Sequence, residues 1–140
     1  MTALAYTDAE LDTMARTIWG EARGEAFAGK VAVAWVIRNR VEHPRWWGRG
    51  IAEVCMKPFQ FSCWNPGDPN EKKCRAVSAD DPAFVECLAA ARACLEGKLP
   101  DPTNGSDHYH VDAGEPPYWA KGRAPLVAIG RHEFYKLRSP

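Results

Sequence analysis

The sequence predicts an α+β fold that is mainly α-helical. Three observations carry this: a capped amphipathic stretch near the N-terminus, two later helical stretches with clear start or stop signals, and short strand-like runs confined to the last third of the chain. Thr7-Asp8-Ala9-Glu10 forms a capping box, with the glutamate three residues after the threonine. Behind it, Leu11, Met14, Ala15, Ile18, Trp19 and Ala22 fall on one helical stripe. Gly20 and Gly24 weaken the helix end, and "ARGEAFAG" turns the chain. A second helix is expected from Lys30 to Val41. Its "VAVAWVI" run is apolar all round and so buried on most sides, although its β-branched residues also allow a strand. His43-Pro44 closes it.

From Arg45 to Ala79, recurring Pro, Gly and Asn predict a long loop with short helical pieces near Ile51. Asp81-Pro82 opens a third helix, with proline at its first position, which runs to Gly97. "LPDPTNGS" is turn chemistry. "DHYHV" and "LVAIGRHEFYKL" then read as two short strands joined by the linker "DAGEPPYWAKGRAP".

A chain of 140 residues suits one domain, residues 1–140, large enough to fold without metals or staples. Its net charge of zero gives no basic field for nucleic acid or for stable association with an anionic membrane. No apolar run reaches the ~20 residues of a membrane span. "MTALAYTDAELD" lacks the basic start and apolar stretch of a signal peptide, so the expectation is synthesis in the cytoplasm and release by another route. Six tryptophans and four tyrosines suit either a core or a cleft that stacks on flat or ring-shaped ligands. The five cysteines, at 55, 63, 74, 87 and 94, lack the spacing of a zinc site. Cys55 and Cys63 flank a short segment that a bridge would close. Cys87 and Cys94 lie about 10 Å apart along a helix and cannot bond to each other, which leaves Cys74 to pair with one of them, or all five as small buried hydrophobes.

Two carboxylates stand out. At ~100° per residue, Glu21 lies about 60° from Ile18 and about 20° from Met14, and Glu25 lies within about 20° of both if the helix continues. An ionised carboxylate on the buried side is costly unless paired. Arg23, Arg38 or Arg40 offers such pairing, and Glu25 beyond the helix end would reach water. The alternative is a cleft at the helix end, where partial desolvation raises a carboxyl pKa and makes the group a general acid near neutrality. In "FQFSCWN", Gln60, Ser62 and Asn65 offer polar groups to sugar or peptide oxygens, and Phe61 and Trp64 offer walls. In "DHYH", His108 and His110 share one face of a strand, a spacing that holds a metal if Cys, Asp or His132 completes the set. Two polar histidines beside Tyr109 near a cleft are the simpler reading.

Together, "ARTIWGEARGEAFAGKVAVAWVIRNRV", "QFSCWN", "DPTNGSDHYHV" and "AIGRHEFYK" resemble the spore-cortex-lytic (SleB-like) cell wall hydrolase family, in its order and over nearly the whole chain. The resemblance implies a lysozyme-like core with a small β element beside a saccharide cleft. It implies cleavage of the bond between N-acetylmuramic acid and N-acetylglucosamine, as a lytic transglycosylase or a muramidase. The first glutamate of "EARGE", Glu21, is then the catalytic acid, and Glu25 either a second carboxylate or a ligand for Arg23 or a loop amide. The saccharide-binding residues expected from these motifs are Gln60, Phe61, Ser62 and Trp64, with Thr103, His108, Tyr109 and His110 from the later stretch. No cofactor is called for, the partner is the glycan strand of peptidoglycan, and lysozyme-like chains suggest a monomer. A catalytic domain alone, without a leader, is similar to phage or prophage endolysins that a holin releases to the periplasm. Two rivals remain: a zinc amidase or peptidase built on His108 and His110 with Glu21 as base, and a non-catalytic wall-binding module.

Overall fold

The computed structural model describes residues 2–138. Its organising element is α2 (Phe27–Glu42), because every residue from Gly29 to Arg40 is buried. A helix can be buried on all sides only if it has neighbours on all sides. One side of α2 packs against α1 (Asp8–Ala22) and α5 (Pro82–Leu95), where Val33 and Ile37 join Met14, Ile18, Ala91 and Leu95 in the main core. The other side carries Ala32 and Val36, which pack on Phe134 from a small sheet. The β-branched residues therefore belong to a helix, and its all-round apolar pattern follows from its place between two layers.

The charged residues of α2 are buried because backbone carbonyls and carboxylates meet them. Lys30 reaches Glu86 at 2.7 Å and the Glu25 carbonyl at 2.8 Å. Arg38 donates to the carbonyls of Cys94 at 2.7 Å and Thr2 at 2.6 Å. Asn39 donates to Ser106 and Asp101, both at 2.9 Å, and Arg40 to the Asp107 carbonyl at 2.7 Å. Such contacts tie the central helix to the N-terminus, to α5 and to the segment leading into the sheet, and they meet the requirement that buried polar groups find partners.

Both caps read from sequence are present. Thr7 and Glu10 form a reciprocal capping box on α1, and Asp81 caps α5 with Pro82 in the first turn. Three expectations need correction. The second helix begins at Phe27, three residues before Lys30. In the expected loop from Arg45 to Ala79, α3 (Ile51–Met56) is the helical piece foreseen near Ile51, but a 3-10 turn (Ser62–Trp64) and a further helix, α4 (Pro69–Ala76), were not foreseen. Asp68 caps α4 by accepting from the Asn70 N–H, and Pro69 opens it, the same Asp-Pro signal that marks α5. Dense proline and glycine around it hid that signal. Finally, "LVAIGRHEFYKL" is two strands, β2 (Val127–Ile129) and β3 (His132–Tyr135), which double back at Gly130-Arg131. With β1 (His108–Val111) they form an antiparallel sheet in the order β1-β3-β2, Tyr109 and Val127 both pairing with Phe134.

Arg38→Leu should lower unfolding stability by about 2–4 kcal/mol in denaturant titration, because it strips buried carbonyls at both Cys94 and Thr2 of a charged donor.

Candidate active site

Glu21 occupies the last turn of α1, on the side facing the sheet. The Tyr109 hydroxyl donates to its Oε1 at 2.6 Å, across 88 positions of sequence. Cys63 lies close by, and its backbone N–H and thiol also favour the ionised carboxylate. Burial pushes the Glu21 pKa up, and these donors pull back only part of the rise. Burial and the nearby carboxylate hold Tyr109 well above its ordinary value, so it stays a proton donor. The group is thus an acid that keeps its proton closer to neutrality than a surface glutamate does.

Tyr109 lines one cavity, and the glutamate it bonds to lines another. Glu21 lines the smaller, of about 230 Å³, with Glu25, Asn70, Val111 and His132. The larger, about 470 Å³, has Tyr109, His108, Trp47 and Arg40 deep within it. Its rim carries exposed rings: Phe59 at 80%, Tyr118 at 86% and Trp46 at 54% exposure. Flat apolar surfaces held in water in this way suit the faces of sugar rings. The guanidinium of Arg40, flanked by Trp46, Trp47 and Phe61, supplies fixed donors beside them.

Glu25 lies past the end of α1, yet it is not in water. Its Oε1 accepts the Arg131 N–H at 2.8 Å and stands 3.7 Å from His132 Nδ1. Gly29 and Gly130 face it, and a Cβ at Gly130 would collide with its carboxylate. Gly130 also has φ +58°, so the turn needs glycine twice over. Glu25 therefore clamps the β2–β3 hairpin to the end of α1, through a loop amide.

The other expected residues divide sharply. Gln60, His108 and Tyr109 line the larger cavity. Phe61 is in the core at 2% exposure, below Arg40 instead of beside a ligand. Ser62 is exposed at the start of the 3-10 turn. Trp64 donates to Thr17 at 2.9 Å and faces another depression with Arg16, Met56 and Arg75. Thr103 is fully buried and bonded to Asp101 at 2.6 Å, so it shapes the turn before β1 and does not face a ligand. His110 stacks on Tyr135 and bonds its hydroxyl at 3.0 Å.

The zinc arrangement fails on the same geometry. His108 Nδ1 is bonded to Asp107 at 2.8 Å, and the Trp119 ring packs against both imidazoles, at 5.0 Å from His108 and 5.8 Å from His110. Among the described residues, no three His, Cys, Asp or Glu side chains gather as a metal site. Burial would raise the Asp107 pKa, but His108, the Leu137 N–H and Arg138 outweigh it and hold the carboxylate well below its usual range. It serves as an anchor for the chain end and for the His108 ring. Sequence reasoning missed Trp46, Trp47, Tyr118 and Trp119. The available signal was the aromatic pairs "WW" and "YW" inside glycine- and proline-rich segments, although Trp47 of the first pair is itself buried in the core beneath the cavity.

The domain thus carries a proton-retaining carboxyl at a helix end, next to a small sheet and an aromatic groove. The chain belongs to the cell wall hydrolase family, whose model matches residues 24–135. It is 32% identical over 133 residues to the spore cortex-lytic enzyme of Halalkalibacterium halodurans, covering 92% of this chain and 35% of that protein. It is 30% identical to the spore cortex-lytic enzyme of Bacillus subtilis, covering 92% and 38%. The chain thus spans well under half the length of these relatives. The catalytic domain of the Bacillus cereus SleB protein superposes with a TM-score of 0.71 at 26% identity, covering 96% of this chain and 95% of that one. The catalytic domain of the germination-specific lytic transglycosylase SleB from Bacillus anthracis gives the same TM-score and identity over 94% and 98%.

The pKa shift of Glu21 carries a stability consequence. An unfolded glutamate titrates near 4.5 and the folded one higher, so between those values the folded state holds more protons. The stabilisation is complete below about pH 4.5 and is lost as pH rises through the folded pKa. Glu21→Gln should abolish this fall, read as a flatter stability profile from pH 4.5 to 8 in parallel denaturant titrations.

Proposed function

We propose that this chain cleaves the glycan strand of peptidoglycan between N-acetylmuramic acid and N-acetylglucosamine, as a lytic transglycosylase with Glu21 as its acid and base. One observation carries the reading: a buried carboxyl that lines one cavity and is held by Tyr109, a residue that itself lines a larger cavity walled by aromatic rings. Protonated Glu21 gives its proton to the glycosidic oxygen as the bond to C1 breaks, and an oxocarbenium-like centre develops. The Glu21 carboxylate then takes the proton of the muramoyl 6-hydroxyl as that oxygen attacks C1. The product is a 1,6-anhydro sugar, and one carboxyl serves both steps.

Glu25 favours this route over hydrolysis through a second carboxylate. Its Oε1 is committed to the Arg131 amide, and its job as hairpin clamp explains its burial. The names of the relatives point the same way, since cortex lysis and lytic transglycosylation are both attacks on peptidoglycan. Gln60, His108 and the rim rings bind the strand in this reading, and Phe61, Trp64 and Thr103 support the loops that carry them. The site of action we propose is the periplasmic face of the wall, so the purified chain should clear suspensions of permeabilised bacteria in a turbidity assay.

Glu21→Gln should lower release of soluble muropeptides from purified wall by about 10²–10⁴-fold, with the folded state retained by circular dichroism. Mass spectrometry of wild-type products should find anhydro ends; reducing ends alone would assign the enzyme as a muramidase. Glu25→Gln keeps an oxygen that accepts from Arg131 and should retain most of the activity. Loss on the scale of Glu21→Gln would instead make Glu25 a catalytic group. Tyr109→Phe removes a donor that lowers the Glu21 pKa, so the descending limb of the pH–rate profile should move to higher pH. Activity should persist in EDTA.

A further inference from the structure

The five cysteines are not equivalent. Cys55, Cys87 and Cys94 are buried in α3 and α5, and burial pushes the first two thiols up to about 12. Cys63 and Cys74 are also buried, but they lie together. Cys63 is in the 3-10 turn and Cys74 in α4, and the fold brings their sulfurs side by side against one glycine. Both sulfurs press against the bare Cα of Gly20: a Cβ there would lie 2.6 Å from Cys74 Sγ and 2.7 Å from Cys63 Sγ. Glycine within a helix costs stability even in its last turn, and making room for this sulfur pair is a physical reason for it here. Gly20 immediately precedes Glu21, and the Cys63 thiol is itself one of the donors on the Glu21 carboxylate.

We propose that Cys63 and Cys74 are a dithiol that closes to a disulfide in an oxidising compartment, and that closure withdraws the Cys63 thiol from Glu21. This displaces the pairings that spacing suggested, Cys55 with Cys63 and Cys74 with a cysteine of α5. The oxidant is a small or protein disulfide. The Cys74 thiolate attacks one of its sulfurs, expels the first thiol and leaves a mixed disulfide on Cys74. The Cys63 sulfur, giving up its proton, attacks the Cys74 sulfur and expels the second thiol, so two protein thiols are oxidised and one disulfide is reduced to two thiols. Cys74 is suited to attack first: the Cys63 hydrogen bond and the charge of Arg23 lower its pKa against the opposing effect of burial. Access comes from opening of α4, a two-turn helix in which Cys74 is the only buried residue. Once α4 closes over the bond, its burial shields it from reductants.

In the disulfide form Glu21 keeps the Cys63 N–H and the Tyr109 hydroxyl but loses a donor that favoured its ionised state. The acid then holds its proton to higher pH. This second half rests on Glu21 being the catalytic acid; the disulfide itself does not.

The test begins with the reduced protein incubated with oxidised glutathione in low urea, then alkylated in denaturant and digested. A Cys63–Cys74 linked peptide, with Cys55, Cys87 and Cys94 alkylated, is expected. Five alkylated cysteines, stable glutathione adducts or another pairing would overturn the proposal. The pH–rate profile on purified wall is then read for both redox forms. The descending limb of the oxidised wild type should lie several tenths of a pH unit above that of the reduced form. Cys74→Ala should give one profile with and without oxidant. Cys63→Ala, which lacks the thiol, should show the raised limb without any oxidant. An unchanged limb in the oxidised wild type would refute the link to Glu21 even if the disulfide forms. Full activity of Glu21→Gln would refute the assignment of the acid and leave the disulfide map standing.

Discussion

The contact between the Tyr109 hydroxyl and Glu21 holds the site together. It joins the end of the first helix to the first strand and is short because the acceptor is a carboxylate largely withdrawn from water. Withdrawal alone would make this glutamate a liability in a core. Two groups from distant parts of the chain, Cys63 and Tyr109, make it tolerable without supplying a full positive charge. An arginine in their place would have lowered the pKa and removed the acid. The carboxyl is thus kept between two failures, ionised and inert or unpaired and destabilising.

That balance needs the sheet and the first helix held at a fixed separation, and α2 provides it. Ala32 and Val36 support Phe134, the strand residue beside Tyr109, while the opposite face of the same helix packs on α1. The polar side chains at 30, 38, 39 and 40 fix its rotation, since each must meet a particular carbonyl or carboxylate. The Glu25 clamp adds a second link from the α1–α2 turn to the far hairpin. Helix, sheet and turn therefore position one another around the carboxyl, and apart from the packing of α2 on α1 each link spans more than fifty residues of chain.

Around this frame the chemistry is distributed by exposure. Rings that could find a core, such as Phe61 and Trp47, are buried under Arg40, while Phe59, Trp46 and Tyr118 stay in solvent at the rim. Exposed aromatic side chains cost hydrophobic burial, and their collection around one cavity is the physical mark of a surface kept for a ligand. The sulfur pair at Gly20 belongs to the same region, so the redox state of the loop and the proton affinity of the acid meet on one residue, Cys63.

The local content of the sequence was legible wherever the cause was local. The capping box at Thr7, the Asp-Pro opening at 81–82, the stripe on α1 and the apolar run of α2 depend on neighbours within a few residues, and the structure carries them with shifts at the ends. Glu21 was marked by its angular position on that stripe. What sequence left open was set by contacts across the fold. Whether Glu25 was a second acid or a clamp depended on an amide 106 residues away, which cysteines adjoin depended on where α4 lies against Gly20, and which aromatic side chains face solvent depended on the path of loops with no periodicity. Periodicity and capping act within one turn or one strand, whereas desolvation, pairing and cavity shape arise only when distant segments pack. The residue that could hold a proton was therefore readable from the chain, and the reason it holds one came from the tertiary structure.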